Sequence, residues 1–212
     1  VVASAGSGAL QITTGLGDVA LRQWQGDVSV ETGKGDVAVN YLTGGLDLRA
    51  GAGDVALRNW QAPAAGAGNG AGRQHRIKTG SGDVAVQSAR APGLEISTSR
   101  GDCSLTQIAI ATLNVETSSG DLQINGDPGA GRWHANTIRG DIVVRIPASA
   151  SARVEAATRR GAIESDLPQV RVGRPGPVSK HGGGRSIGVL GEEPRAEIML
   201  ETVQGDIRVH VS

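Results

Sequence analysis

The 212-residue sequence predicts an all-β protein, a β-solenoid (β-helix-like) of about nine two-strand coils with a period of ~19 residues. Three observations predict it. An eight-residue string, T-x-x-G-D-(V/I/L)-x-(V/I/L), recurs along the chain. Apolar residues alternate at period two on both sides of it. The composition holds 33 glycines, no phenylalanine and only 2% aromatics. A ring-poor aliphatic core suits the narrow space between closely spaced strands better than a wide globular interior. Glycine does not recur at every third residue, which excludes collagen.

The string runs from Thr14 to Leu21, Thr32 to Val39, Thr79 to Val86, Thr98 to Leu105, Thr117 to Ile124, Thr137 to Val144 and Thr202 to Val209. Two degenerate copies, Ala50 to Leu57 and Thr158 to Ser165, keep the frame, and Ala162 replaces the aspartate in the second. Successive copies are 18, 18, 29, 19, 19, 20, 21 and 44 residues apart.

An apolar pair precedes each threonine position: Leu10 and Ile12, Val28 and Val30, Leu46 and Leu48, Leu94 and Ile96, Leu113 and Val115, Ile198 and Leu200. His75 with Ile77, Trp133 with Ala135, and Val154 with Ala156 are weaker versions. Period-two spacing puts each pair on one strand face, with polar residues such as Glu31, Asp47 and Glu95 on the other. Past the glycine the alternation resumes, as in Val84 and Val86. Each unit therefore reads as strand, tight Gly corner, strand and second corner, with Gly8, Gly26, Gly44 and Gly131 at the second. One coil cannot bury its inward residues alone. Consecutive coils stacked at about 4.8 Å per rung can, giving a body roughly 40 Å long.

Residues 1–212 read as a single solenoid domain with two insertions. Residues 59–74 are rich in glycine and alanine, a flexible loop. Residues 166–195 carry Pro168, Pro175, Pro177, the run Gly182-Gly183-Gly184 and Pro194, with Arg171, Arg174, Lys180, His181 and Arg185. That segment reads as a loop, or as a flap over an exposed sheet edge.

The residues resemble the bacterial adhesin-like domain, a family of unknown function with β-strand repeats. The resemblance rests on the repeated Gly-Asp string, Ile163-Glu164-Ser165-Asp166-Leu167-Pro168, the glycine-rich stretch after it, and the terminal Glu201-Thr202-Val203-Gln204-Gly205-Asp206-Ile207. It implies a β-solenoid, frequently attached to the cell envelope, with no established catalytic residues.

Bulk charge narrows the function classes. The formal net charge is zero, from 21 basic and 21 acidic residues, and no basic block points to nucleic acid or to anionic lipid. No run approaches ~18 apolar residues, so no membrane span is expected. The lone Cys103 forbids an internal disulfide. The start at Val1 rather than methionine fits removal of an upstream signal or anchor.

Several constellations invite a functional reading. Asp18, Asp36, Asp54, Asp83, Asp102, Asp121, Asp141 and Asp206 form a column whose stacked carboxylates would repel by ~1 kcal/mol per pair in water. A calcium ladder would offset this, but the calcium repeat G-G-x-G-x-D spaces its aspartate differently and Ala162 lacks the ligand. Acceptance of backbone N–H bonds at the corners is the better reading. The threonine column (Thr14, Thr32, Thr79, Thr98, Thr117, Thr137, Thr158, Thr202) shares the inward parity and is expected at the core's edge, bonded to corner backbone or to itself.

Arg100-Gly101-Asp102 and Arg139-Gly140-Asp141 spell an integrin-binding tripeptide, but the repeat already dictates Gly-Asp. The run from His181 to Gly184 is similar to an esterase oxyanion loop, without the nucleophile elbow that chemistry needs. His75, His134, His181 and His210 lack metal-ligand spacing and read as loop or surface residues. Cys103 reads as a small core residue, and the Gly66–Gly72 run is no phosphate loop. Outward acids (Glu31, Asp47, Glu95, Glu116, Glu155, Glu201) recur too regularly for one grafted glycosidase pair.

The expectation is a non-catalytic surface or cell-envelope solenoid, an adhesin or interaction scaffold outside the cytoplasm. Its partner is a protein, glycan or envelope component, and it has no catalytic, cofactor-binding or metal-ligating residues. The alternative is a polysaccharide-active β-helix enzyme using the outward carboxylates.

Overall fold

The computed structural model describes residues 1–63, 75–168, 183–191 and 193–212, and among these every regular element is a β-strand. β1 (Val2–Ser7) and β2 (Leu10–Leu16) form the first edge. β3 (Val19–Gln25) then leaves the Gly17-Asp18 corner with Val19 and Leu21 inward, and β4 (Val28–Lys34) returns with Val28, Val30 and Thr32 inward. β5 (Val37–Thr43), β6 (Leu46–Ala52), β7 (Val55–Gln61) and β8 (His75–Ser81) repeat that path. In β9 (Val84–Arg100) and β10 (Cys103–Ser119) both sides of a winding run on as one bent strand. β11 (Leu122–Asp127), β12 (Arg132–Arg139) and β13 (Ile142–Ile146) continue the stack.

Equivalent positions of successive windings pair in parallel. Cys103 lies between Val84 and Leu122, and all three are 1% exposed. The same column runs on through Ile142, Ile207 and Ile163. The protein is thus a β-solenoid around a slender aliphatic core, and each inward side chain contributes about 1.5–3 kcal/mol, largely offset by chain entropy.

The expected order of windings fails near the C-terminus. β14 (Ala152–Arg160) and β15 (Ile163–Ser165) do not stack on β12 and β13. Instead β17 (Ala196–Gln204) lies between β12 and β14, and β18 (Ile207–Val211) between β13 and β15. The winding 196–211 therefore fills the gap between windings 132–146 and 152–165. The 44-residue interval from Thr158 to Thr202 supplies the chain needed to travel back. Within the segment 166–195, β16 (Gly184–Leu190) pairs antiparallel with the outer edge of β14 and covers it.

The windings up to residue 109 also turn three times rather than twice. Gln23, Tyr41, Asn59, Ser88 and Gln107 have φ between 53° and 58°, a left-handed kink within what reads as one strand. The ladder skips these residues: Arg22 faces Asn40 and Trp24 faces Leu42, with no pair between. Just past the kink, Gly6, Trp24, Leu42, Trp60, Ala89, Ile108 and Gly126 stack in register. Bulky residues alternate with smaller ones, which fills the corner without voids. A Cβ on Gly6 would overlap the Trp24 indole. The buried Trp60 donates its Nε1–H to the Gly44 carbonyl at 3.0 Å.

Candidate functional site

The aspartate column is a hydrogen-bond ladder. Asp18 Oδ1 accepts the Asp36 amide at 3.0 Å, Asp36 that of Asp54 at 2.9 Å, and Asp54 that of Asp83 at 2.8 Å. Asp83, Asp102, Asp121 and Asp141 continue it at 2.8 Å each, ending on the amides of Asp102, Asp121, Asp141 and Asp206. Asp206 accepts the last amide, that of Ala162, at 2.8 Å. Each carboxylate therefore caps the next winding's N–H, which offsets the repulsion between neighbours. Ala162 supplies a donor to the rung beside it and has no rung beyond it among the described residues to accept from. At this end Arg208 reaches Asp206 Oδ2 at 3.0 Å, Asp141 Oδ2 at 3.3 Å and Glu164 at 3.5 Å.

Except at Thr32, whose buried hydroxyl has no partner, the threonine hydroxyls of the column bond backbone carbonyls. Thr137 donates to Gly120 O at 3.2 Å, Thr202 to Gly140 O at 3.1 Å and Thr158 to Gly205 O at 3.0 Å. Their side chains are buried at the rim of the core. Both Arg-Gly-Asp tripeptides sit inside this machinery, since Asp102 and Asp141 hold the amides of Asp121 and Asp206. Among the described residues no group of three or more His, Cys, Asp or Glu side chains could hold a metal ion.

The outward acids spread along two columns and interleave with bases. Asp47 faces Arg76, which faces Glu95, and Arg76 pairs with Glu95 at 2.8 Å. Glu31 faces Arg49, and Glu155 pairs with Arg185. Glu116 accepts the Asn114 amide at 3.2 Å, and Glu201 lies opposite Asn136. Apart from Asn114 and Glu116, which share one strand, these are cross-strand neighbours along a ladder, not a converging pair.

The kink positions make the surface that sequence reasoning missed. Across Val19–Gln25, Val37–Thr43, Val55–Gln61 and residues 84–90 and 103–109, there are three arginines and no acid. Tyr41, 57% exposed, stands at the kink beside Asn59, Ser88 and Gln107. With Thr43, Gln61 and Arg90 they line a depression of about 500 Å³. Asn59 donates to Asn40 at 3.2 Å and Ser88 to Gln107 at 2.9 Å, so the amides and hydroxyls are tied from rung to rung. No single residue type marks the kink, and the even spacing of positions 23, 41 and 59 was the one available signal.

Compared with known families, the chain matches the model of the Toastrack DUF4097 domain, a domain of unknown function, over residues 16–210. That span takes in every Gly-Asp corner. The chain belongs to the Toastrack family. No curated protein and no solved structure matches it.

Three further sequence candidates find their places in this Toastrack domain. Cys103 is buried in the core, and burial, reinforced by the charges of Asp102 and Asp83, pushes its thiol up to about 12. His75 corrects the surface reading: it is 2% exposed because it takes an inward position opposite Leu94. Its Nδ1 accepts the Leu46 amide at 3.2 Å, and its ring meets Trp60 edge-on at 5.0 Å. Burial holds this imidazole below its ordinary value, against the opposing charge of Asp27. His134 is half-buried between Asn114 and Met199, and His210 is bonded to Asp166 at 3.0 Å. Of the esterase-like run, Gly183 donates to Arg159 O at 2.9 Å and Gly184 opens β16, while His181 and Gly182 lie outside the described residues. Residues 64–74, with the Gly66–Gly72 run, and the basic residues Arg171, Arg174 and Lys180 also lie outside them. No helix among the described residues is long and apolar enough to cross a membrane.

Proposed function

We propose that this Toastrack domain is a non-catalytic scaffold, displayed outside the cytoplasm at the cell envelope, that presents a long rigid face to a partner. One observation carries the reading: outward side chains repeat in straight columns at one-winding spacing, and at Asn40–Asn59 and Ser88–Gln107 hydrogen bonds tie one rung to the next. Such columns suit an extended or repetitive ligand, whereas hydrolysis needs two carboxylates set across one bond. The interleaving of Asp47, Arg76 and Glu95 favours the scaffold over the polysaccharide-active enzyme.

The test is labelling of intact cells that make the full-length gene product, using a membrane-impermeant amine reagent and a cytoplasmic protein as reference. Labelling of the domain without the reference supports the reading, and labelling only after lysis overturns the placement. Purified protein incubated with a panel of polysaccharides should release no reducing ends. Release abolished by Glu95→Gln or Glu116→Gln would establish the enzyme instead.

A further inference from the structure

We infer that the acid-free strip at the left-handed kinks binds an acidic polysaccharide, with Tyr41 as the stacking platform and Arg90 as the contact for a sugar carboxylate. The inference rests on the scaffold reading and adds to it the ligand class and the residues that hold it.

Charge asymmetry comes first. The chain has 21 acidic residues, yet none falls on the five segments of the strip, where Arg22, Arg58 and Arg90 are exposed. None of the three forms an ion pair among the described residues. The ladder acids stand four residues before Arg22 and Arg58 and seven before Arg90, roughly 13 Å or more along an extended strand, and Asp127, which faces Ala109, lies two rungs from Arg90 at about 10 Å. Both exceed the screening length of about 8 Å in physiological salt, so an approaching ligand meets the arginines and not the ladder. Asp27 lies two residues past Gln25, and its Oδ1 already accepts the Gly45 amide at 3.1 Å.

The other lining groups choose among anions. Asn59, Gln61, Ser88 and Gln107 offer neutral donors and acceptors together, as polyhydroxylated ligands require. The Tyr41 ring offers an apolar face to the C–H side of a sugar and a hydroxyl beside it. A nucleic acid would need dense cationic contacts along its phosphates, and three arginines over five windings are too few. An anionic membrane would need a basic cluster with apolar anchors, which the strip lacks. The rung spacing of about 4.8 Å is comparable to the length of one sugar residue, so successive windings meet successive sugars.

The test is affinity electrophoresis and calorimetry of the intact domain with polygalacturonate, dextran and single-stranded DNA. Expected is binding to polygalacturonate, weakened by salt, with no retention by dextran or DNA. Arg90→Gln should lower affinity about tenfold or more, and Arg90→Lys should restore most of it. Tyr41→Asn, which tolerates the left-handed backbone, should lower it similarly with an unchanged melting temperature. Equal retention by dextran, preference for DNA, no retention by any polymer, or binding indifferent to both variants would each overturn the inference. A domain labelled on intact cells that retains no polygalacturonate keeps the scaffold reading and sinks only this one.

Discussion

Asp141 Oδ1 accepts the amide of Asp206 at 2.8 Å, joining residues 65 apart in the chain as adjacent rungs of one ladder. The bond has the same geometry as that between Asp121 and Asp141, which belong to consecutive windings. The Gly-Asp corner is therefore a connector that does not depend on chain order.

Removing one acceptor should loosen two windings at once. Asp121→Ala leaves the Asp141 amide to water and is expected to cost about 1–2 kcal/mol in urea unfolding. Asp121→Asn keeps an oxygen acceptor and should cost less than half of that. At the end of the ladder Ala162→Asp adds a carboxylate with no described amide to cap, and should change stability by under about 0.5 kcal/mol.

The corner glycines should separate sharply by position. Gly120 has φ +149°, and a Cβ there would overlap the Gly101 carbonyl oxygen. Gly120→Ala should destabilise by more than about 2 kcal/mol. Gly15 faces open space without a left-handed φ, and Gly15→Ala should stay within about 0.5 kcal/mol. Thermal melts of the two variants decide the matter.

His75 should make the domain acid-sensitive. Its folded pKa lies below the ordinary 6.5, so the unfolded chain binds the proton more readily between those two values. The stability contribution is intact above about pH 6.5, falls as pH drops through that window, and levels off below the folded value. Melting temperatures from pH 7.5 to 5 should decline more steeply for the parent than for His75→Gln. The groups facing His75 are Asp27, whose charge opposes the shift, and the Trp60 ring.

Cys103 should be inert in the folded protein. With its thiol pushed up to about 12 and its side chain buried, it should resist a disulfide reagent at pH 8 and react promptly in denaturant. Cys103→Val should leave the melting temperature within a few degrees, since Val84 occupies the neighbouring rung. Rapid labelling of the native protein would contradict this placement.

The legible parts of this molecule are those where backbone need and residue type coincide. A corner with strongly positive φ and a carbonyl pressed against it accepts only glycine, and the next residue must cap an amide, so Gly-Asp is visible at eight of the nine corners. The lapse, Ala162, falls on the last rung among the described residues, although only the ladder gives it that meaning. The kinks at Gln23, Tyr41, Asn59, Ser88 and Gln107 left no common residue, because a left-handed conformation with an outward side chain tolerates several polar types. The candidate binding strip was hidden for the same reason. The displaced C-terminal winding was hidden too, because every copy of the repeat presents the same edges and would pair with any other.

The placement of residues 196–211 sets a schedule for biosynthesis. Windings up to residue 146 can add one after another as they leave the ribosome, each using its predecessor as template. Winding 152–165 emerges next but has no permanent seat until the residues that separate it from 132–146 have been made. It must wait beside a half-built stack, or dock early and be displaced. Completion of this fold is an act of insertion, and a stretch translated after both of its neighbours is the wedge that closes it.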